Sequence, residues 1–118
     1  MTRLIALSLV GLVALLHIWF LVLEMFFWDH RVGRKVFGLD PEFSARSRTL
    51  AANQGLYNGF LAAGLVWGAV AAKDDVLMFF LGCVIMAGVY GAVTVKKTIL
   101  YVQALPALLA LAAVVLSR

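Results

Sequence analysis

The chain has 118 residues, ten Lys and Arg against six Asp and Glu, and 64% hydrophobic residues, with a mean hydropathy of +1.02. Soluble domains are about 45–50% apolar, so too little polar surface is available to coat a water-soluble particle, and the length allows one domain. The net charge of +4 does not point to nucleic acid, because the basic residues sit at the ends of apolar segments. The single cysteine, Cys83, excludes an internal disulfide and any CxxC redox or zinc site, and reads as a small buried residue.

The first apolar stretch covers residues 4–27 and is broken only by His17 and Glu24. A signal peptide is disfavoured by its length and by its end, EMFFWDH, which offers no small-residue cleavage site, so a retained helix is expected. Residues seven apart on a helix differ by about 20° in azimuth and lie about 10 Å apart along the axis. His17 and Glu24 therefore share a face, Glu24 about one turn from the end and His17 near the middle. Trp28 with Phe26 and Phe27 suits an aromatic belt at a membrane boundary, whereas Trp19 lies deeper.

Residues 29–49 read as a long charged loop. Within it LDPEF is a helix-start signal: Asp40 can cap, Pro41 fits the first helical position and Glu42 suits the positive end of the dipole. Two starts for the second span agree with this, one at Pro41 and one near residue 50 with 43–49 along the membrane interface. That span, 50–72, contains NQGLYNG, in which Asn53 and Tyr57, and Gln54 and Asn58, are i,i+4 neighbours. A tight KDD turn at 73–75 leads to a third span, 76–95, carrying Tyr90 and Thr94. VKKT at 95–98 turns into a fourth, 98–116, with Tyr101 and Gln103 in its first turns and Pro106 expected to bend it.

A hydrocarbon core takes about 20 helical residues to cross, and backbone groups in lipid must bond within the segment. The expected fold is therefore all-α, an integral membrane antiparallel four-helix bundle in one domain, with a lipid bilayer as its partner. No stretch shows the strict alternation of a β-barrel strand. Gly55 with Gly59, Gly64 with Gly68 and Ala87 with Gly91 are small-xxx-small spacings that suit close packing of the second and third spans; self-association to a homo-oligomer is the other use of them. Seven Lys and Arg fall in the first and third connections (Arg31, Arg34, Lys35, Arg46, Arg48, Lys96, Lys97) and three at the other face (Arg3, Lys73, Arg118). The richer side is expected in the cytoplasm, which places both termini outside it in a multi-pass protein of the cell, or inner, membrane.

On this topology almost all the polar intramembrane residues fall in the cytoplasmic half, with His17 near the middle. A pocket follows, with His17 and Glu24 as candidate catalytic or proton-carrying groups and Asn53, Tyr57, Asn58, Tyr90 and Gln103 as candidate ligand contacts. Ionisable side chains in lipid are costly, about +2.5–3.5 kcal/mol for Asp at a helix centre, which makes Glu24 either a site residue or one end of a packing hydrogen bond to Asn53, Asn58 or a loop arginine. One His and one Glu seven apart make only a weak haem or metal signature, the cofactor is left unknown, and no glycine-rich phosphate loop is present. Three functions fit: a pocket that binds or converts a small lipophilic molecule, a small proton-coupled transporter, and an accessory protein acting through a partner. The transporter fits least, since Glu24 lies near a helix end and the loop charges are unbalanced.

His-x6-Glu-Met-Phe-x-Trp (His17 to Trp28), NQGLYNGFLAAGL (from Asn53) and GVYGAVT (from Gly88) together resemble a small bacterial and fungal membrane family, domain-of-unknown-function family 1304. The resemblance covers almost the whole chain. It implies about four transmembrane helices, groups the three motifs in one module and carries no established activity.

Overall fold

The computed structural model describes all 118 residues, and the chain is all-helical. The helices are α1, Thr2–Phe26; α2, Arg31–Phe37; α3, Pro41–Val70; α4, Asp74–Thr94; and α5, Leu105–Leu116, preceded by a π-helical turn, Leu100–Ala104. Two of them, α1 and α4, are long and apolar enough to cross a membrane; the apolar stretch Leu100–Leu116 is shorter. Five helices replace the four expected, because α2 forms inside the segment read as a loop. Seven residues are too few for a periodic signal, and α2 is defined by its ends instead. His30 Nδ1 accepts the Val32 N–H at 3.1 Å. At the other end Gly38 takes the left-handed conformation, φ 67°, and the Leu39 N–H returns to the Arg34 carbonyl at 2.9 Å.

The start of α3 is settled by Asp40, whose Oδ1 accepts the Phe43 N–H at 2.8 Å. The helix runs unbroken from Pro41, so residues 43–49 are not a separate interfacial segment. Between α3 and α4 the reversal falls at 71–73 rather than at KDD. Asp74 and Asp75 belong to the first turn of α4, where negative charge meets unpaired N–H groups. The reversal is a Schellman turn: Lys73 N–H bonds to the Gly68 carbonyl at 2.9 Å and Ala72 sits at φ 53°.

The chain divides into two compact units, Leu16–Phe60 and the combination of Met1–Leu15 with Leu61–Arg118. In the latter, four helical segments share one apolar core. Ala6, Val10, Val13 and Ala14 of α1 meet Leu65 of α3, Leu77, Leu81 and Val84 of α4, and Ala107, Ala110 and Val114 of α5. The core is built from alanine, valine and leucine, while several apolar side chains face outward: Phe79 is 66% exposed, Met86 75% and Val93 81%. At one end of this unit Arg3 pairs with Asp74 and donates to Ser117 Oγ at 3.2 Å, fastening the starts of α1 and α4 to the end of α5.

Glycines set the closest approaches, though not all between the elements expected. Gly64 and Gly68 of α3 do face α4, at Phe80 and Leu77. Gly55 and Gly59 instead face α1, at Met25 and Leu21. Gly88 of α4 lies against the Ala104 backbone, where an added Cβ would come within 2.7 Å of the Ala104 nitrogen. Pro106 lies just beyond the π turn, in which the Leu105 N–H bonds to the Leu100 carbonyl. Pro106 has no N–H to bond four residues back, and the wider turn is where the backbone absorbs that loss.

In Leu16–Phe60, α2 folds back against the end of α1. A Cβ on Gly33 would strike the Phe27 carbonyl, so only glycine permits this approach. Trp28 stacks on Phe37 with ring centroids 5.0 Å apart, and its indole N–H donates to Ser47 Oγ at 2.9 Å. Asp29 Oδ1 accepts from Arg34 at 3.0 Å and from Ser44 Oγ at 2.9 Å, joining α2 to the first turn of α3.

Candidate functional site

The polar residues of the first span meet α3 inside the Leu16–Phe60 unit. The approach depends on Gly55 of α3: an added Cβ would come within 2.7 Å of Met25 Cγ and 3.2 Å of the Leu21 carbonyl. This spacing brings Asn58, one turn further along α3, to Glu24. Asn58 Nδ2 donates to Glu24 Oε1 at 2.5 Å. Asn58 is almost fully buried and Glu24 half-buried, so the pair is shielded on the amide side and reachable on the carboxyl side. Of the partners expected for Glu24, the structure joins it to Asn58.

His17 is completely buried. Its ring packs edge-on against Phe20, with centroids 5.2 Å apart. No buried side-chain nitrogen or oxygen in the protein lacks a hydrogen-bond partner. His17 and Glu24 thus lie on α1 with the spacing read from the sequence, both withdrawn from the surface to different degrees.

The other candidate residues are dispersed. Asn53 and Tyr57 are exposed on α3, and Tyr57 packs edge-on against Phe60 with centroids 5.8 Å apart. Tyr90 is 73% exposed on α4, and its carbonyl accepts from Thr94 Oγ1 at 2.7 Å. Gln103 is half-buried in the π turn. Tyr90 and Gln103 belong to the unit that does not contain Glu24. The enclosed polar centre of Leu16–Phe60 is accordingly smaller than the set named from the sequence, and consists of Glu24, Asn58 and His17.

Chemically, the pair offers a carboxyl group oriented by one amide donor, with its second oxygen left to accept or exchange a proton. It has two protein groups where a metal site needs three or more, and no cluster of three His, Cys, Asp or Glu side chains able to hold a metal ion occurs in the chain.

Two groups escaped the sequence reading. One is Asp29 with its partners Arg34 and Ser44; the other is Arg3 with Asp74 and Ser117. A signal for Ser44 did exist. Ser44, Ala51 and Asn58 recur every seven residues and are all buried, marking the inner face of α3 from end to end.

No solved structure matches the chain. The Uncharacterized protein YpaA of Lactococcus lactis subsp. lactis (strain IL1403) is 35% identical over 104 residues, covering 85% of this chain and 87% of that protein. The family model described as Protein of unknown function (DUF1304) matches residues 11–115. With His17, Glu24 and Asn58 all inside the matched stretch, the chain belongs to the DUF1304 family.

Proposed function

We propose that the chain is a multi-pass protein of the cell membrane, an antiparallel bundle of four spanning segments. These are α1, the apolar part of α3, α4, and the π turn with α5. The placement of Phe79, Met86 and Val93 outside a core of alanine, valine and leucine supports a lipid surround. The seven-to-three distribution of basic residues supports α2 and the start of α3 in the cytoplasm, with both termini on the other side. Alkaline carbonate washing of membranes tests the first point, and a cysteine placed at Ser117 in a Cys83→Ala background tests the second. Release of the chain by carbonate, or labelling of that cysteine only from the cytoplasm, refutes the corresponding part.

Within the bundle, Glu24 and Asn58 form a site for a small lipophilic molecule that carries a hydrogen-bonding group. The observation that supports it is the Glu24–Asn58 hydrogen bond on apolar helices, with the buried His17 two turns away on α1. Asn58 orients the carboxyl; Glu24 accepts from the ligand or moves a proton to or from it. The test is the organic extract of purified protein, compared by mass spectrometry between wild type, Glu24→Gln and Asn58→Leu. A species retained by wild type should fall about tenfold in each variant, the equivalent of one lost hydrogen bond. Identical extracts from equally folded proteins refute the site.

A further inference from the structure

The basic residues of the first connection are not equivalent. Arg34 is neutralised by Asp29 at 3.0 Å. Arg31, Lys35, Arg46 and Arg48 have no ion pair, and all four are exposed. Their positions follow from the faces of α2 and α3. At about 100° per residue, Gly33, Phe37 and Arg34 form the side of α2 turned to Phe27, Trp28 and Asp29. The opposite side carries Arg31 and Lys35 in one row and Val32 and Val36 in the next. Val36 is 51% exposed. On α3, Ser44 and Ser47 turn inward to Asp29 and Trp28, which leaves Phe43, Arg46 and Leu50 as an outward stripe. Apolar side chains are thus interleaved with unpaired cations on both elements. The nearby acids are Asp40, engaged at the start of α3, and Glu42 in its first turn.

We propose that the outer face of α2 and the first turns of α3 are a docking surface for anionic phospholipid headgroups of the bilayer in which the helices lie. The inference rests on the membrane-spanning reading. Charge complementarity selects the occupant: Arg31 and Lys35 on the short α2 and Arg46 on the outward stripe of α3 meet the negatively charged cytoplasmic leaflet, Arg48 on the other flank of α3 adds to the local positive charge, and Val32, Val36 and Phe43 enter the apolar edge of the leaflet. Each basic side chain near such a surface contributes about fivefold to the affinity. Gly33, Trp28 and Asp29 hold α2 in position for this contact, so the surface is built before lipid arrives.

The experiment is amide hydrogen exchange on the full chain in nanodiscs of pure phosphatidylcholine and of phosphatidylcholine with phosphatidylglycerol. Incorporation into either disc is scored first, so failure of the membrane reading shows there and not in the exchange. Amides of Arg31–Phe37 should exchange about tenfold more slowly in the anionic disc, a conservative share of four such charge contributions, and high salt should remove the difference. The combined Arg31→Gln, Lys35→Gln, Arg46→Gln and Arg48→Gln variant should lose it, while Lys96→Gln with Lys97→Gln should keep it. Equal exchange in both discs overturns the proposal. So does protection in the neutral disc on adding inorganic phosphate, or retention of the effect in the fourfold variant.

Discussion

Asn58→Leu removes the amide that holds Glu24 while keeping the branched shape of the side chain in a somewhat larger volume, so the loss is a hydrogen bond and not a cavity. A hydrogen bond to a charged group contributes about 1.5–3 kcal/mol net in soluble proteins, whereas cycles between membrane helices average about 0.6 and reach about 1.7 kcal/mol. Burial favours the upper part of the second range, since Asn58 is 5% exposed. Solvent access to half-buried Glu24 works the other way, because water can replace a lost donor. A destabilisation of about 1–1.5 kcal/mol is expected for Asn58→Leu. Glu24→Gln should stay within about 0.5 kcal/mol of wild type, since a carboxamide oxygen accepts the same bond. In a Glu24→Leu background, Asn58→Leu should cost about 1 kcal/mol less than in wild type. The assay is reversible unfolding in mixed micelles with increasing dodecyl sulfate, followed by far-UV circular dichroism. A coupling below about 0.3 kcal/mol, or a stabilising Asn58→Leu, refutes the view that this bond fixes α1 on α3.

The same unfolding assay reads the helix ends. Ala72→Gly should stabilise by about 1 kcal/mol by relieving the left-handed alanine, and Gly38→Ala should destabilise by a similar amount. Gly88→Leu should abolish monodisperse protein in size-exclusion chromatography, because the Ala104 backbone cannot yield; Gly82→Ala, which meets open space, should keep or improve it. Arg3→Ala releases Asp74 and Ser117 from a partly exposed cluster and should cost about 0.5–1 kcal/mol, a penalty reduced by added salt.

The long helices were legible because their signals are local and repeated. A run of apolar residues reports α1 and α4 directly, and Asp40-Pro41-Glu42 announces the start of α3 in three residues. The chemistry of α2 is also local, but it resides in a histidine cap, a left-handed glycine and one glycine pressed against a carbonyl. None of these leaves a hydrophobic rhythm. The Glu24–Asn58 contact was legible where a shared face was enough: His17 and Glu24 share one by helical spacing, and Asn58 was among the partners named for Glu24. Asn53 and Tyr57 are set apart from Asn58 by azimuth. They lie five and one residues before Asn58, at roughly 140° and 100° from it, so a helix that buries Asn58 turns both outward. Which face of α3 turns inward is decided by Gly55 meeting α1, and a glycine at that spacing does not name its neighbour.

The π turn before Pro106 bears on how this sequence can change. Ile99 lies against Gly91 and Ala104 against Gly88, five residues apart on one side and three on the other. In α geometry residues five apart diverge by about 140°, so Ile99 and Ala104 could not both look at α4. The wide turn takes up the difference, and from Ala104 onward Ala107, Ala110 and Val114 enter the core at ordinary helical spacing. The segment Leu100–Ala104 therefore stores a count more than a set of side chains. Substitutions at Leu100, Tyr101 or Val102 leave that count intact. Loss of one residue there leaves Ile99 and Ala104 four apart, about 40° in plain α geometry, so Ala107, Ala110 and Val114 keep their faces, whereas collapse of the turn to α geometry with its length unchanged turns every later position by about 100°. In this chain, a change of composition at the turn or the loss of one residue is compatible with the fold, and the insertion of a further residue is not.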